Sequence, residues 1–474
     1  MTDQLVNRDH LKQARGVLPY RTKDPVLPNP NATGQFLFVT LRPDLDVTGV
    51  RDFLTSVEQA TQQLREQKSG PDRVATVATG FSGTFFTRTD GTARFDGIGQ
   101  VPAGLRMPPV VAASESVPAD LVVYVVSTSE GCAARFIASI STHPAVAAVD
   151  LERGYQRLDR DEPFGYRDGV RNIEEKKDRR EVVFIDRDTL PEEPWWAHDG
   201  TYLAYLKVEQ DVTAMAAKPA AEQDAVIGRD RHGRRLDHAA GSEPTVRAEG
   251  AFTDPLVPPV DSHVRKTGPR GAAQDTVRIF RRGLPYFEVG ADGRLAQGLQ
   301  FASFQASLDA FDVVFNRWMT NPSFPPGVPT GPDRLLSVVT VRRHGFFFIP
   351  PEVTDHPLGA VMFMPEPATR KPKTGKVAIR KTLRDAATGG AHRGELSGFT
   401  FALLDPTTSA PVGASFTTDG LGHALSDDVA LGTYTLREVA TVGGVPAAPD
   451  QTVTLSSARE VVRVENTVPA GTVY

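Results

Sequence analysis

Apolar positions follow two rhythms along this chain. FLFVTLRP (36–43) is almost continuously apolar and predicts a buried strand. Val47, Val50, Phe53, Leu54, Val57 and Leu64 recur at helical spacing, which predicts an amphipathic helix over 45–67. VATVATGFSGTFF (74–86) and DLVVYVVSTS (120–129) read as strands, and CAARFIASISTHPAVAAV (132–149) as a helix. The order then returns. GTYLAYLKVEQDV (200–212) reads as a strand, and AAEQDAVIGRD as a short helix entering a loop. LQFASFQASLDAFDVVFNRWM (299–319) reads as a strand followed by a helix, and SVVTVRRHGFFFIPP (337–351) closes the region. The halves share a pattern but no close sequence repeat. The fold class expected is α+β, with strands packed on helices in each half.

Three stretches break the rhythm. Residues 1–33 are polar and rich in Pro and Asn, so they read as an N-terminal arm. The stretch 229–285 has little periodicity and holds many Asp, His, Arg, Gly and Pro residues. Long irregular segments inside a compact domain usually carry function. PEPATRKPKTGK (365–376) shifts to Pro, Lys and Thr, which places a linker at 366–375. Short alternating strands and Gly-rich turns follow, predicting an all-β domain over 376–474. The two halves before it take 34–190 and 191–365.

Composition narrows the function classes. The 474 residues carry a net charge of −5, so there is no basic footprint for nucleic acid. A single cysteine, Cys132, rules out an intrachain disulfide and any Cys-based metal cluster, and reads as a small core residue near a helix start. No apolar run reaches membrane-spanning length, and the N-terminus shows neither an apolar signal core nor a twin arginine. The expectation is a cytoplasmic protein with no membrane partner. G-x-G-x-x-G, P-loop, H-E-x-x-H and G-x-S-x-G signatures are all missing.

Two loops carry candidate chemistry. In EPFGYRDGVRN (162–172), Asp168 sits close to Gly165 and directly before Gly169, in a stretch built for sharp bends. In DSHVRKTGPRGAAQDTVRIFRRGLPYF, His263 is followed by Arg265, Lys266, Arg270 and Arg281. Neighbouring cations favour the neutral imidazole that a metal requires, and they can offset the anionic groups of a cofactor.

Segments in these and other loops resemble the dye-decolorizing peroxidases, a family of haem enzymes. The resemblance rests on FGYRDG (164–169), which fits the family's G-x-x-D-G, and on GTYLAYLKV (200–208), AVIGRD (225–230), SHVRKTGPR (262–270), IFRRGLPY (279–286), GLQFASFQASLD (298–309) and GFFFIPP (345–351). They occur in the family's order between 164 and 351, and the resemblance is taken to cover about 34–365. The resemblance implies two ferredoxin-like modules of the dimeric α+β barrel type, with one haem b per chain held in the second. It implies that His263 is the proximal iron ligand. Asp168 would be the distal acid/base that moves a proton between the two peroxide oxygens. Arg281 would stabilise the charge that develops as the O–O bond breaks, leaving Arg282 structural or solvent-facing. Gly283 stands where some members carry an asparagine. Arg229, Gly165 and Gly169 are expected to contact the cofactor, and Asp309 to accept the second N–H of His263. Trp195, Trp196 and Trp318 are candidates to relay electrons from bulky donors. The implied partners are hydrogen peroxide and small aromatic donors such as dyes and phenols. A homo-oligomer and a partner of the β-domain stay open. Two other readings are haem handling with incidental peroxidase activity, and docking or adhesion through the β-domain.

Residues 372–470 resemble the prealbumin-like β-sandwich modules (SpaA or CnaB type) of bacterial surface proteins, through KVAIRKTLRD, SGFTFALLD, TTDGLGHA, GTYTLREV and VVRVENT. Read with period two, Lys381, Glu438 and Asn466 each fall on an apolar inward face. Three buried polar groups are costly unless they meet. In this class a Lys and an Asn can join in an isopeptide bond with help from a Glu.

Overall fold

The computed structural model describes residues 11–15, 17, 33–66, 75–155, 161–173, 176–238, 252, 254–270, 276–290, 293–325, 330–367, 373–470 and 472. Most of the expected arm therefore lies outside the described residues, as do the centre of the linker and much of the stretch 239–275.

Among the described residues, twelve strands build the body: β1 (Leu11–Lys12), β2 (Thr33–Leu41), β3 (Ala75–Phe81), β4 (Glu115–Ser116), β5 (Leu121–Ser127), β6 (Val146–Tyr155), β7 (Thr201–Gln210), β8 (Phe280–Arg281), β9 (Leu284–Val289), β10 (Leu295–Gln305), β11 (Val339–Ile349) and β12 (Glu352–Val353). Ten of them form one sheet in the order β6-β2-β5-β3-β11-β7-β10-β8, with β4 on β11 and β9 on β10. Counted within each half, the order is fourth-first-third-second twice over. The halves join where Phe81 of β3 faces Phe348 of β11.

Both faces of this sheet are covered, which explains the continuous apolar runs. Leu37 and Val39 of β2 enter one core with Val50, Phe53, Leu54, Val57 and Leu64 of the helix Val47–Glu66. Phe36 and Phe38 enter another with Tyr124, Tyr205, Phe304 and Phe347. The sheet curls until its ends meet. Leu284 of β9 lies so close to Gly34 of β2 that a Cβ there would sit 1.7 Å from it. Lys207 of β7 bridges Glu152 of β6 and Glu288 of β9, each at 2.7 Å.

Two expected elements change. The strand expected over 74–86 ends at Phe81, and Gly83–Phe86 turns as a helix. The helix expected over 132–149 stops at Ser141, and β6 follows. Pro144 accounts for the second change, because the residue before a proline avoids helical backbone. Cys132 is buried in the first turn of that helix, beside the Ser129 cap.

Residues 373–470 form two four-stranded sheets. One contains β13 (Thr374–Asp385), β16 (His423–Leu425), β17 (Val429–Ala430) and β20 (Arg459–Val468). The other contains β14 (Thr400–Leu404), β15 (Phe416–Thr417), β18 (Gly432–Ala440) and β19 (Gln451–Leu455). β13 starts at Thr374, two residues inside the expected linker. Its inner face enters a core with Phe399, Phe401 and Leu436. Its outer face is covered by the body: Arg380 grips Glu192 with two bonds of 2.7 and 2.5 Å. Arg459 pairs with Asp188 at 2.6 Å, and His423 with Asp309 at 2.9 Å.

Near that contact, the carboxyl group of Glu193 is fully enclosed, accepting from Tyr202 Oη at 2.7 Å and from the Ala103 amide at 3.0 Å. Burial pushes its pKa up to about 7. A carboxyl raised in the folded state contributes stability below its unfolded value, and that contribution is lost as pH rises towards the folded one. Wild-type unfolding free energy should fall relative to Glu193→Gln by on the order of 2 kcal/mol between about pH 5 and about pH 8. Denaturant titrations of both proteins at the two pH values check this.

Candidate active site

His263 opens the short helix His263–Thr267. Its Nδ1 lies 2.8 Å from Oδ2 of Asp333, a carboxylate 1% exposed. A carboxylate accepts, so Nδ1 carries the proton and Nε2 keeps a free lone pair. Oδ1 of the same carboxylate caps the turn Arg334–Ser337, accepting from the Leu335 amide at 2.9 Å. A second stitch holds the two segments together: Asp261 takes Arg334 Nε at 2.6 Å, and its carbonyl takes the Arg334 amide at 2.9 Å.

Asp309, expected to be the partner of His263, is not. It lies at the start of the helix Leu308–Asp312 and bonds to Ser307 and to His423 of the β-domain. The cations after His263 also have other work. Lys266 is fully buried and donates to the carbonyls of Asn321 and Phe324 and to Thr330 Oγ1. Arg265 donates to the carbonyls of Asp254, Pro255 and Val257. Of this group, Arg270 and Arg281 lie on the cavity beside His263.

That cavity encloses about 280 Å³. Leu206 and Val208 of β7, Leu299 and Phe301 of β10, and Val339 and Val341 of β11 give it apolar walls. Phe311, Val314, Phe315 and Met319 close another side, the last three from a π-helix over Val313–Met319. Among the described residues the polar lining is cationic, with Arg167, Arg171, Arg229, Arg270, Arg281 and Arg282 around one acid, Asp168.

Asp168 is set by its loop. Gly165 and Gly169 have φ of +81° and +74°, a region that side chains disfavour. Asp168 Oδ1 accepts from the Gly169 amide at 2.6 Å, which leaves Oδ2 for other chemistry. Gly165 is a turn residue and not a lining one; a Cβ there would meet Arg231 Nη1 at 2.7 Å. Glu162 braces the loop from within, accepting from the Phe164 and Tyr166 amides at 3.0 and 3.1 Å and from Gln210 at 2.6 Å. Burial raises its pKa to about 7 against those donors, and Asp168 adds to the rise.

Arg281 lies in β8, and Asn172 clamps its backbone from both sides. Asn172 Oδ1 accepts the Arg281 amide at 3.1 Å, and Nδ2 donates to its carbonyl at 2.7 Å. Burial pulls the guanidinium pKa down, and Asp168 is the charge that opposes the fall. Arg282 is buried, so the solvent-facing alternative fails. It donates to the Val17 carbonyl at 2.8 Å and covers the Tyr124 ring. Gly283 lines the cavity with no side chain, and a Cβ there would lie 3.1 Å from the Gln300 carbonyl. Arg229 is buried on the cavity and donates to the Gly233 carbonyl at 2.8 Å. Trp195, Trp196 and Trp318 are all buried, Trp318 stacked on Phe324 at 5.4 Å.

Sequence reasoning missed Asp333, Asn172 and Glu162. Asp333 had a faint signal in GPDRLL, where an acid precedes a turn of helix. Glu162 and Asn172 bound the same stretch as Asp168, but nothing in their spacing shows what they grip.

Residues 159–354 match the family model described as Dyp-type peroxidase, C-terminal. Deferrochelatase of Escherichia coli (strain K12) is 30% identical over 197 residues, covering 40% of this chain and 43% of that protein. Deferrochelatase of Shigella flexneri matches to the same extent. The matched stretch is thus less than half the length of these curated relatives. Among solved structures, ferric DtpA from Streptomyces lividans superposes with a TM-score of 0.59 at 20% identity, over 74% of this chain and 97% of that one. The DyP-type peroxidase from Cellulomonas bogoriensis gives 0.58 at 20% identity, over 74% and 98%. At that identity the likeness carries the fold alone.

The loop geometry can be checked without any ligand. Gly165→Ala and Gly169→Ala should each lower unfolding free energy by roughly 1–2 kcal/mol, the cost of a side chain in left-handed backbone. Chemical denaturation of the two variants measures it.

Proposed function

We propose that the chain belongs to the Dyp-type peroxidase family, whose C-terminal model matches residues 159–354, and that it is a haem peroxidase, using hydrogen peroxide to oxidise small aromatic donors such as dyes and phenols. The observation that carries the reading is one cavity lined by an Asp-held histidine and by an Asp–Arg pair. Its residues fit a haem. The walls suit a flat apolar ring, His263 offers Nε2 to iron, and Arg229 and Arg270 suit the carboxylates at the ring's edge.

When bound, the haem supplies the iron at which peroxide is reduced and from which oxidising equivalents pass to a donor. The chain's own part is proton handling and charge. The Asp333 carboxylate raises the donor strength of Nε2 through the bond at Nδ1. Asp168 takes a proton at Oδ2 from one peroxide oxygen and returns it to the other, which leaves as water. Arg281, fixed by Asn172, stabilises the negative charge that grows on the departing oxygen. Its burial strengthens that interaction, since little water screens it.

A second reading is haem handling, and the name of the curated relatives, deferrochelatase, favours it. One set of incubations separates the two. Peroxide-dependent dye oxidation should fall by about 100-fold or more in Asp168→Ala and Arg281→Leu while the Soret band persists. His263→Ala should lose the band. Iron released from haem, with no dye oxidation in the wild type, would favour the second reading.

For the β-domain we propose a prealbumin-like module with an internal Lys381–Asn466 isopeptide bond. Lys381 Nζ reaches Glu438 Oε1 at 2.7 Å and touches Asn466 Oδ1, while Asn466 Nδ2 donates to Glu438 Oε2 at 2.7 Å. Burial lowers the lysine pKa against the pull of Glu438, favouring the neutral amine. Nζ bonds to Cγ of Asn466, the Cγ–Nδ2 bond breaks, and Glu438 passes the proton lost by Nζ to the nitrogen that leaves as ammonia. The intact chain should be lighter than its sequence by one ammonia, and Lys381→Ala should restore the full mass for its own sequence. A wild-type mass equal to the sequence mass would mean the bond does not form.

A further inference from the structure

The β-domain does more than sit beside the body. Its turn Asp419–Gly422 is rigid: Asp419 Oδ1 accepts the amides of Leu421 and His423, each at 2.9 Å, and Gly422 has φ of +77°. Gly420 donates to Thr276 Oγ1 at 3.3 Å, which ties the turn to the body. Leu421 packs into an apolar cluster of the body that includes Val277, Ile279, Val314, Trp318 and Met319. Three of these, Ile279, Val314 and Met319, line the active-site cavity on their other side.

A second β-domain loop holds the same element. Arg317, in the π-helix, donates to the carbonyls of His392 and Gly394 at 3.0 and 3.2 Å. Arg393 donates in turn to Thr320 Oγ1 at 2.9 Å. A π-helix is a strained segment that keeps its shape only when its surroundings impose it. Here part of that surrounding is the β-domain. The turn is also coupled to the polar triad, because the Lys381 amide donates to the Gly422 carbonyl at 2.8 Å.

We propose that Leu421 is a positioning residue of the haem pocket: it wedges the outer side of the π-helix so that Val314 and Met319 keep the cavity wall closed on the cofactor. The proposal rests on the haem reading above. Truncating the wedge leaves a gap behind the wall, and the wall relaxes into it.

The test uses the full-length protein loaded with haemin, with release followed by transfer to excess apomyoglobin. Leu421→Ala should release haem about tenfold faster than wild type, and Leu421→Met should stay within about twofold. Val453→Ala, a cavity in the far sheet of the same domain, should destabilise that domain as much yet leave release within about twofold. Equal release by wild type and Leu421→Ala would overturn the proposal, as would equal acceleration by Val453→Ala. A wild type that shows no Soret band with haemin would instead overturn the haem reading itself.

Discussion

The hydrogen bond between His263 Nδ1 and the buried Asp333 carboxylate is the constraint from which the rest of the site follows. A carboxylate taken out of water must have its lone pairs met, or the cost of burial is severe. Asp333 meets that demand with one bond to the imidazole and one to the Leu335 amide, so a single side chain sets the ring and starts a turn. The segments it joins are 70 residues apart in sequence. The neighbouring Asp261–Arg334 stitch keeps them in register, so the imidazole cannot swing without breaking several bonds.

The side of the cavity that holds Asp168 and Arg281 obeys the same logic with different parts. Asp168 and Arg281 come from a loop and a two-residue strand, elements too short to hold a side chain by themselves. Asn172 ties the strand to the loop, and Glu162 ties the loop to itself and to Gln210 of β7. The central strands β7, β10 and β11 then supply both the apolar walls and the platform to which these loops are fastened. Precision at Asp168 and Arg281 is thus borrowed from the sheet through buried polar bonds.

These bonds mark the limit of what the sequence reveals. Periodicity exposes the helix Val47–Glu66 and the central strands, because burial of both sheet faces leaves unbroken apolar runs. Glycines around Asp168 are legible since their backbone angles exclude other residues. A partner chosen by tertiary folding leaves no such trace. Asp309 and Asp333 each stand at the head of a short helical turn, and each is a plausible acceptor for His263. Only the fold decides between them, by delivering Asp333 to the imidazole and Asp309 to the β-domain's His423. The same holds for the cations after His263. Their clustering is visible, but their use as donors to loop carbonyls follows from how the loops pack. Pro144 is the exception, a stop legible in the sequence itself, since its ring breaks or kinks a helix that runs through it.

The β-domain raises a question of strength as well as position. A wedge holds a wall only if its own base does not yield. Leu421 stands on a turn whose glycine pairs with the backbone of Lys381, and Lys381 is locked to Glu438 and Asn466 inside the domain's core. A buried polar triad of this kind is weak evidence for stability, since well-packed apolar residues often do better. It is good evidence for fixed geometry, because each group is held by the need to satisfy the other two. Joined covalently, the triad would tie β13 to β20 across the base of the wedge, and the turn could not move outward without straining both strands. The polar core of the β-domain and the apolar wall of the cavity are thus two ends of one brace, with Leu421 as the contact between them.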